Sequence, residues 1–351
     1  MRRRLAATAT VGPGGVPMRR RLAATATVGS GGVPMRRRLA AIAAVGLVVL
    51  AGGCTASKDG GRAEPPSDAT PSAAPQAAPD TSCGNPRASL RPGTAALPAP
   101  GRMPAGTRMA EIQKRGRLIL GTSQDTLLFS SRNSFTGRIE GFDVDMGRQI
   151  AQAIFGDPDK IQIKVIGYDQ RVSLAARGEV DLVADTMTVN CERLKEVDFS
   201  TVYYEAGQRV LVSTDSTAKS IQDLGGKRVC AVAGSTSLQN IALVSTKPVP
   251  IGRAGWADCL VAFQQNEVDA ISTDDTILAG LAAQDPYAKV IGDKFTEEPY
   301  AMAISKEYPE LTRFVNQVLE RNKADGTWKS TYERWLSDFG RAPVPPRAAY
   351  R

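Results

Sequence analysis

The 351-residue chain contains no histidine, so it lacks the side chain that most often serves as a general base or a zinc ligand. It has five cysteines, but no two of them stand at the spacing of a zinc-ligand pair. We therefore expect neither a metal site nor a cofactor. A catalytic site would have to be built from Asp, Glu, Lys or Tyr, which makes an enzyme the less favoured class.

An excess of basic residues is also missing once the N-terminus is set apart. Residues 1–53 contain nine of the 44 Lys and Arg residues and no acidic residue, which leaves 35 basic against 36 acidic residues beyond them. The formal net charge of +8 thus becomes about −1, and nucleic acid is not a predicted partner.

The N-terminal region contains a repeat that ends in a signal peptide. The run MRRRLAATATVG begins at Met1 and again at Met18, and a third, diverging copy begins at Met35. There, three arginines precede an apolar stretch at 39–50 and a few small residues, which is typical of a signal peptide. We predict that translation starts at Met35 and that residues 1–34 are a duplication or a misassigned start.

Cys54 and the segment after it indicate a lipid-anchored tether. Cys54 follows two glycines and resembles the lipid-modified cysteine of a lipobox, with Leu50 four residues before it instead of the usual three. Residues 54–105 are rich in Pro, Ala, Ser and Gly and have too few large apolar side chains for a core, so a flexible tether is expected. A disordered tail is likewise predicted at 341–351.

About 235 residues remain between these ends, enough for two lobes of around 100 residues or more. Strand-like and helix-like runs alternate along them, which favours an α/β fold with parallel sheets. Strands are predicted at 117–122, 161–166, 208–213, 227–232 and 270–272, and helices at 144–155, 256–266 and 311–323.

The most informative stretch of the chain begins with an apolar run at 180–184, which predicts a buried strand. Thr186 and Thr188 follow it, and alternate residues of a strand share a face, so both hydroxyls can point into one cleft. Arg193 comes five residues after Thr188 and carries the planar fork of donors that matches a carboxylate. An ordinary strand end with a surface arginine is the alternative.

This stretch resembles the amino-acid-binding proteins of bacterial ABC importers, and most of all their glutamate-, aspartate- and glutamine-binding branch. Four blocks carry the resemblance, in the family's order. They are Gly141-Phe142-Asp143-Val144-Asp145; Thr186-Met187-Thr188 with Arg193, Val197-Asp198-Phe199-Ser200 and Tyr203-Tyr204; 224–229 with 233–236; and 268–270 with 273–275.

The resemblance implies a two-lobed α/β fold of the type II periplasmic-binding-protein class, in which the chain crosses between the lobes twice. Lobe 1 is expected at residues 106–206 and 301–340, and lobe 2 at residues 207–300. The hinge crossings are expected near 204–208 and 299–303.

The resemblance also implies how a free amino acid is held between the lobes. Arg193 would bind its carboxylate, with Thr188 and Thr236 adding hydroxyl or backbone N–H donors. Asp274 would bind its ammonium, although Asp275 can replace it through a one-residue error. A helix N-terminus, where acids are favoured by the dipole, is the structural alternative for this acidic pair.

The resemblance implies further residues around the ligand, as a second ammonium acceptor and as the lining of the side-chain pocket. The backbone carbonyl of Thr186 is a second candidate acceptor for the ammonium. Ser123 and Asp125 follow the first strand, where the family lines its side-chain pocket. Further candidates for that pocket are Arg132, Arg171, Arg209, Tyr168, Glu297 and Tyr300.

Four cysteines remain beside Cys54, and an exported protein is expected to pair them, for which three connectivities exist. Within the two-lobed arrangement we expect Cys230–Cys259 inside lobe 2 and Cys83–Cys191 between the tether and the loop of Arg193. A bridge across the lobes would hinder their closure. A free thiol at Cys83 is the alternative.

The expected partners are a free amino acid (glutamate, aspartate or one of their amides) and the permease of an ABC importer. The receptor is expected to be a monomer anchored by lipid to the outer face of the bacterial cytoplasmic membrane. A sensor that signals through a membrane protein is the alternative, and an enzyme on the same fold is the less favoured one.

Overall fold

The computed structural model describes residues 80–351, so the predictions for Met35, Cys54 and the signal peptide lie outside the described residues. Its strands are β1 (Ala88–Ser89), β2 (Leu118–Thr122), β3 (Asp125–Thr126), β4 (Ser130–Arg132), β5 (Ile139–Glu140), β6 (Ile161–Val165), β7 (Leu182–Val183), β8 (Val197–Phe199), β9 (Tyr204–Ala206), β10 (Gln208–Ser213), β11 (Arg228–Val232), β12 (Val249–Arg253), β13 (Ala270–Asp274), β14 (Ala288–Ile291), β15 (Glu298–Tyr300), β16 (Ala303–Ser305) and β17 (Ala349–Tyr350).

The α-helices alternate with these strands. They are α1 (Arg108–Arg115), α2 (Phe142–Phe155), α3 (Arg171–Ala176), α4 (Cys191–Leu194), α5 (Thr236–Leu243), α6 (Trp256–Gln264), α7 (Asp275–Ala282), α8 (Pro309–Ala324) and α9 (Thr327–Trp335). Within residues 80–351, no helix combines the length and the apolar character that a membrane crossing requires.

Lobe 1 is built on a five-stranded sheet in the order β6-β2-β7-β16-β8. Strand β2 pairs in parallel with β6 and β7, whereas β16 runs antiparallel to β7 and β8. Leu120 on β2, Ile150 on α2 and Val315 on α8 belong to one buried apolar cluster. The apolar stripes of both helices therefore pack against the sheet, as their spacing in the sequence requires.

Lobe 2 repeats this design with a five-stranded sheet in the order β12-β11-β13-β10-β14. Strand β11 is parallel to β12 and β13, and β10 is antiparallel to β13 and β14. A separate apolar cluster that includes Leu211, Val229 and Ile271 forms its core. The parallel strands of each lobe end at one sheet edge, where loops carry polar side chains toward the other lobe.

Two extended segments connect the lobes and pair with each other as the antiparallel strands β9 and β15, with Tyr204 opposite Tyr300. They are the two hinge crossings that the sequence analysis expected. Since alternate residues of a strand point the same way, β15 turns Glu298 and Tyr300 to one side and Pro299 to the other.

Both ends of the described chain lie against lobe 1, so two predictions about them are wrong. Strand β1, inside the predicted tether of residues 54–105, pairs in parallel with β17, inside the predicted disordered tail of residues 341–351. The guanidinium of Arg351 lies 2.7 Å from the carboxylate of Asp198. Composition misled here because main-chain hydrogen bonds and ion pairs to lobe 1, rather than an apolar core of their own, hold these segments. Residues 54–79 lie outside the described part of the tether.

Two disulfides join the cysteine pairs expected from the sequence. Cys83 is bonded to Cys191 with a Cα–Cα distance of 5.4 Å, and Cys230 on β11 is bonded to Cys259 on α6 with 5.7 Å. Neither bridge spans the cleft. Because Cys191 is the first residue of α4, its disulfide ties the N-terminal segment to the helix that carries Arg193.

Candidate functional site

A small, nearly filled cavity lies between the two lobes. Its lining residues are Arg171, Thr186, Thr188 and Arg193 from lobe 1, and Ser235, Thr236, Ser237, Trp256, Thr273, Asp274 and Ile277 from lobe 2. Of the eight main site residues expected from the sequence, the cavity brings together five: Thr186, Thr188, Arg193, Thr236 and Asp274.

Thr186 and Thr188 reach the cavity by a different route from the one expected. Strand β7 ends at Val183, so both threonines stand on the loop after the strand and do not owe their common side to strand alternation. Thr186 has a φ of 42°, which is unfavourable for a β-branched residue. Its backbone N–H donates to the carboxylate of Asp143 at 2.6 Å, which holds the loop in this conformation.

The carboxylate of Asp143 also accepts a hydrogen bond of 2.6 Å from the hydroxyl of Tyr203. Burial raises the pKa of Asp143 to about 7. The sequence block from Gly141 to Asp145 therefore supports the cavity loop from behind instead of lining the cavity.

Arg193 stands on α4, whose first turn is capped by Asn190: the Asn190 side-chain oxygen accepts from the Arg193 backbone N–H at 2.9 Å. The Arg193 guanidinium donates to the carbonyl oxygen of Thr188 at 2.5 Å and, across the cleft, to that of Gly234 at 3.1 Å. Burial, together with the nearby charge of Arg171, lowers the pKa of Arg193 to about 9. A carboxylate in the cavity would offset both effects.

Arg171 is a second buried guanidinium in the same wall. It donates to the carbonyl oxygens of Tyr168 at 2.9 Å, Asp185 at 2.9 Å and Gly234 at 3.3 Å. Within residues 80–351, all hydrogen-bond acceptors of both guanidiniums are main-chain carbonyls, and neither cation forms an ion pair with a carboxylate. Two buried positive charges thus converge on one neutral oxygen.

The N-terminal turn of α5 faces these arginines from lobe 2. Ser235 is its N-cap, and the Ser235 hydroxyl accepts from the backbone N–H of Leu238 at 3.1 Å. Ser235, Thr236 and Ser237 all line the cavity. Since the first N–H groups of a helix have no intrahelical acceptor and carry its positive partial charge, this wall also favours an anion.

Asp274, at the end of β13, is the buried acid of the cavity. One of its carboxylate oxygens accepts from the hydroxyl of Tyr300 at 2.5 Å, and the other has no hydrogen-bond partner among the described residues. Burial, followed by the nearby charge of Glu298, raises the pKa of Asp274 well above its ordinary value. An unpartnered buried oxygen of this kind calls for a cationic donor from the ligand.

The expected role of Ser123 and Asp125 as pocket-lining residues is not found, because both lie outside the cavity. The hydroxyl of Ser123 forms hydrogen bonds with the buried hydroxyls of Thr126 and Ser130 at 3.2 and 2.8 Å. Asp125 instead spans the cleft: its carboxylate accepts from the backbone N–H of Ala257 on α6 at 3.2 Å. Asp125 is therefore a contact between the lobes.

Asp275 is the third expected residue that does not line the cavity. It is the first residue of α7, and its carboxylate forms an ion pair with Lys294 at 3.0 Å. The helix N-terminus considered as the alternative for the acidic pair thus applies to both acids: Asp274 is the N-cap and Asp275 follows it.

Of the wider set of candidates, Arg171 alone lines the cavity. Arg132 is exposed and donates to Gln124 and to a main-chain carbonyl of its own hairpin. Arg209 donates to the carbonyl oxygen of Gly292 in lobe 2 and does not line the cavity. Tyr168 and Tyr300 are buried but do not line the cavity, and Glu297 is exposed.

Several polar residues of the site were missed by sequence reasoning. Trp256 lines the cavity, and its indole N–H has no hydrogen-bond partner within the described part of the chain. The carboxylate of Glu298 accepts from the hydroxyls of Thr188 and Thr236 at 2.6 and 2.8 Å. The sequence does contain a signal for Glu298: it lies two residues before Tyr300 in a hinge strand, so the two side chains share one side of the strand. The neighbouring Glu297 does not have this spacing.

Comparison with known proteins gives consistent results for most of the chain. Residues 118–338 match the family of bacterial extracellular solute-binding proteins, family 3. The ABC transporter glutamine-binding protein GlnH of Bacillus subtilis (strain 168) is 38% identical over 231 residues, which are 66% of this chain and 85% of that protein. The glutamate-binding protein GluB of Corynebacterium glutamicum is 31% identical over 245 residues, or 66% of this chain and 83% of that protein.

Solved structures have the same fold. An ancestral arginine-binding protein bound to glutamine superimposes with a TM-score of 0.59 at 32% identity, and the alignment covers 63% of this chain and 98% of that one.

Proposed function

We propose, from the premise that this chain belongs to the bacterial extracellular solute-binding proteins of family 3, that it binds one free amino acid in the cavity between its lobes. The observation that carries the proposal is the opposition of charges there. Two guanidiniums of lobe 1 have no carboxylate partner among the described residues, and an oxygen of Asp274 in lobe 2 has no donor. An α-amino acid carries both complementary groups.

In this proposal Arg193 binds the α-carboxylate together with the first backbone N–H groups of α5. Asp274 binds the α-ammonium. Each charge-assisted hydrogen bond contributes about 1.5–3 kcal/mol. Because Arg193 and Asp274 belong to different lobes, the ligand stabilises the form in which the lobes meet, and this closed form is the one that a partner can recognise.

Arg171 favours an acidic side chain on the ligand. This second buried guanidinium has no carboxylate partner among the described residues, and a side-chain carboxylate of the ligand would supply one. The unpartnered indole N–H of Trp256 adds a donor for a side-chain oxygen. We therefore propose glutamate or aspartate as the preferred ligand and their amides as weaker ones.

The test is isothermal titration calorimetry with glutamate, aspartate, glutamine, asparagine and arginine. One-to-one binding with an acidic amino acid as the tightest ligand is expected. Changing Arg171 to Met should weaken glutamate binding about tenfold and glutamine binding much less, since only glutamate loses an ion pair. Arg132→Met, an exposed arginine of the same lobe, is the matched control.

Two outcomes would contradict the proposal in different ways. If folded protein binds none of the five amino acids, the amino-acid receptor itself is wrong. If Arg171→Met weakens glutamate and glutamine equally, the receptor stands but Arg171 does not select the side chain.

We propose that the partner is the permease of an ABC importer, to which this receptor delivers its ligand. The proposal is supported by the Bacillus subtilis relative, which is named as the glutamine-binding protein of an ABC transporter. The same proposal includes lipid attachment at Cys54 and a monomeric state of the receptor. Mass spectrometry of the protein extracted from membranes tests the lipid: an unmodified chain that still contains residues 35–53 would contradict it.

A further inference from the structure

A short segment of lobe 1 contacts two helices of lobe 2 beside the cavity. The carboxylate of Asp125, the first residue of β3, accepts from the backbone N–H of Ala257 on α6 at 3.2 Å. Leu127 lies against α7, because a Cβ added at Gly280 would be 3.1 Å from the Cβ of Leu127. We call residues 125–127 the latch segment.

Helix α6 has a free place for a carboxylate because its N-cap is a glycine without a side chain. This N-cap is Gly255, and Asp258 within the helix accepts the Gly255 backbone N–H at 3.0 Å. The first N–H groups of a helix have no intrahelical acceptor and carry its positive partial charge. Asp125 therefore supplies from lobe 1 the acceptor that an Asp or Ser N-cap supplies within its own chain segment.

The N-cap glycine also makes room for this carboxylate. A Cβ added at Gly255 would lie 2.6 Å from Asp125 Oδ2, the oxygen that accepts from Ala257. The φ of Gly255 is −142°, a value in the extended region that other residues adopt as well. A side chain at this position would thus take space from Asp125 without straining the backbone.

Tyr168 of lobe 1 supports both partners of this contact. Its hydroxyl donates to Asp125 Oδ1 at 2.7 Å, and its ring packs edge-on against Trp256, with the ring centroids 5.9 Å apart. Trp256 is the first residue of α6 and lines the cavity. The cap and the aromatic contact together hold the cavity-lining turn of α6 against lobe 1.

From this arrangement we infer that Asp125 is a latch, which caps α6 across the cleft and so slows the escape of a bound ligand. Asp125 is a positioning residue, because it contacts α6 and does not line the cavity. The inference rests on the proposed amino-acid ligand. Since the latch stabilises the closed form and not a particular ligand, it acts equally on every ligand that the cavity holds.

The first experiment measures the association and dissociation rates of L-glutamate and L-glutamine by stopped-flow fluorescence, for which Trp256 in the cavity wall is a reporter. Asp125→Ala should raise the dissociation rate of both ligands about fivefold and change the association rate less than twofold, because the latch forms after the ligand has entered. Asp125→Asn keeps an acceptor oxygen and should recover most of the loss. Unchanged dissociation, or a loss confined to one ligand, would overturn the inference.

Asp258→Ala is the matched control for this experiment. Asp258 caps the same helix as Asp125 but does so from within lobe 2, so its loss affects the open and closed forms alike. Asp258→Ala should lower stability against urea and leave the dissociation rate within twofold of the wild type. Equal acceleration by Asp258→Ala and Asp125→Ala would attribute the effect to α6 itself and would refute a latch between the lobes.

A double-mutant cycle tests the contact between Asp125 and Gly255. Gly255→Ala should raise the dissociation rate about as much as Asp125→Ala, since the added methyl group displaces the carboxylate. The double variant should dissociate within twofold of either single variant, because both changes break one contact. Gly252→Ala is the control in the same lobe, as its Cβ would lie at an ordinary 3.4 Å from Leu238. Effects that simply add would contradict the latch.

A measurement without ligand separates this inference from the proposed function. Hydrogen exchange of the Ala257 amide should be slower in the wild type than in Asp125→Ala, whereas the Gly255 amide, bonded within lobe 2, should exchange alike in both. Equal exchange at Ala257 would mean that no latch forms. If the protein binds neither amino acid while Asp125 protects the Ala257 amide, the proposed ligand is wrong and the cap across the cleft stands.

Discussion

The two walls of the cavity come from lobes of the same design, yet they carry opposite chemistry. Each lobe has a five-stranded sheet of parallel strands extended by antiparallel ones. The lobe 1 wall presents the guanidiniums of Arg171 and Arg193, and the lobe 2 wall presents the carboxylate of Asp274. A shared sheet pattern therefore sets where the loops meet, while individual loop residues set what the site can bind.

This contrast explains why closure can depend on the ligand. Arg171 and Arg193 both reach across the cleft, but only to the neutral carbonyl oxygen of Gly234, and the free oxygen of Asp274 receives no donor from lobe 1. The charged groups of the two walls are thus not matched with each other. A molecule that carries an anion and a cation a few ångströms apart satisfies both walls at once.

The largest expected effect comes from removing the cation of lobe 1. Arg193→Ala should lower affinity at least ten- to a hundredfold for every amino-acid ligand, since about 1.5–3 kcal/mol is lost with a charge-assisted contact. Titration calorimetry measures the loss, and Arg132→Ala serves as an exposed control in the same lobe. Unchanged binding in Arg193→Ala would mean that the carboxylate is held elsewhere.

Removing the anion of lobe 2 should cost somewhat less and change the pH dependence. Asp274→Asn should weaken an amino acid about tenfold, because the amide still accepts a hydrogen bond but offers no charge to the ammonium. Asp275→Asn is the matched control: it is the adjacent acid, paired with Lys294 outside the cavity. Equal losses in both variants would mean that the two acids act by stabilising the N-terminus of α7 and not by binding the ammonium.

The sign of the pH effect follows from the raised pKa of Asp274. A buried acid with a raised pKa stabilises the unliganded fold at low pH, and this contribution is lost as pH rises through the raised value. Ligand binding needs the ionised carboxylate, so affinity should increase over the same range, with release of a proton. Calorimetry in buffers of different ionisation enthalpy should show this release in the wild type and not in Asp274→Asn.

The lobe 1 wall was easier to predict from sequence than the lobe 2 wall, and the reason is physical. Thr186, Thr188 and Arg193 lie within eight positions of one another, so one loop carries them and a short motif describes them. The hinge acid Glu298 meets Thr188 over a separation of 110 residues. Such a contact depends on how the lobes come together, which no local pattern specifies.

The expectations that Glu297 and Asp125 line the pocket failed for the same reason. Glu297 and Glu298 are equivalent in composition and differ only in which side of β15 they face, so the register of a three-residue strand decides which one is buried. Asp125 was expected in the pocket but contacts α6 of the other lobe, because a polar residue after a strand can point either to a ligand or across a cleft. Sequence identified the residue types, and the packing of the lobes assigned their roles.

A smaller effect is expected from changing the point where the two walls touch. Gly234 has a φ of +76°, and a Cβ added there would lie 2.8 Å from the Cα of Asp169 in lobe 1. Gly234→Ala should lower affinity about five- to tenfold, since closing then requires a backbone shift in addition to left-handed strain of about 1–2 kcal/mol. Gly226→Ala also has positive φ but meets no atom within 4 Å, and it is the matched control. Equal affinities of the two variants would show that strain at a glycine, and not closure, explains any loss.

The smallest expected effect on binding comes from residues 349–351, a C-terminal strap that stabilises lobe 1. Deleting residues 349–351 removes β17 and leaves the buried carboxylate of Asp198 without Arg351. The free energy of unfolding should fall by about 1–2 kcal/mol, through the loss of main-chain hydrogen bonds and of a partly buried ion pair.

Affinity for the amino acid should meanwhile stay within twofold, because the strap contacts only lobe 1 and lies outside the cavity. Urea unfolding and calorimetry measure the two quantities on the same sample, and Arg351→Lys, which keeps the cation, should recover part of the stability. A deletion that weakens binding as strongly as Arg193→Ala would show that the chain ends help to set the closed form. In that case the contrast between the lobes would extend from the charges of their walls to the segments that hold each lobe together.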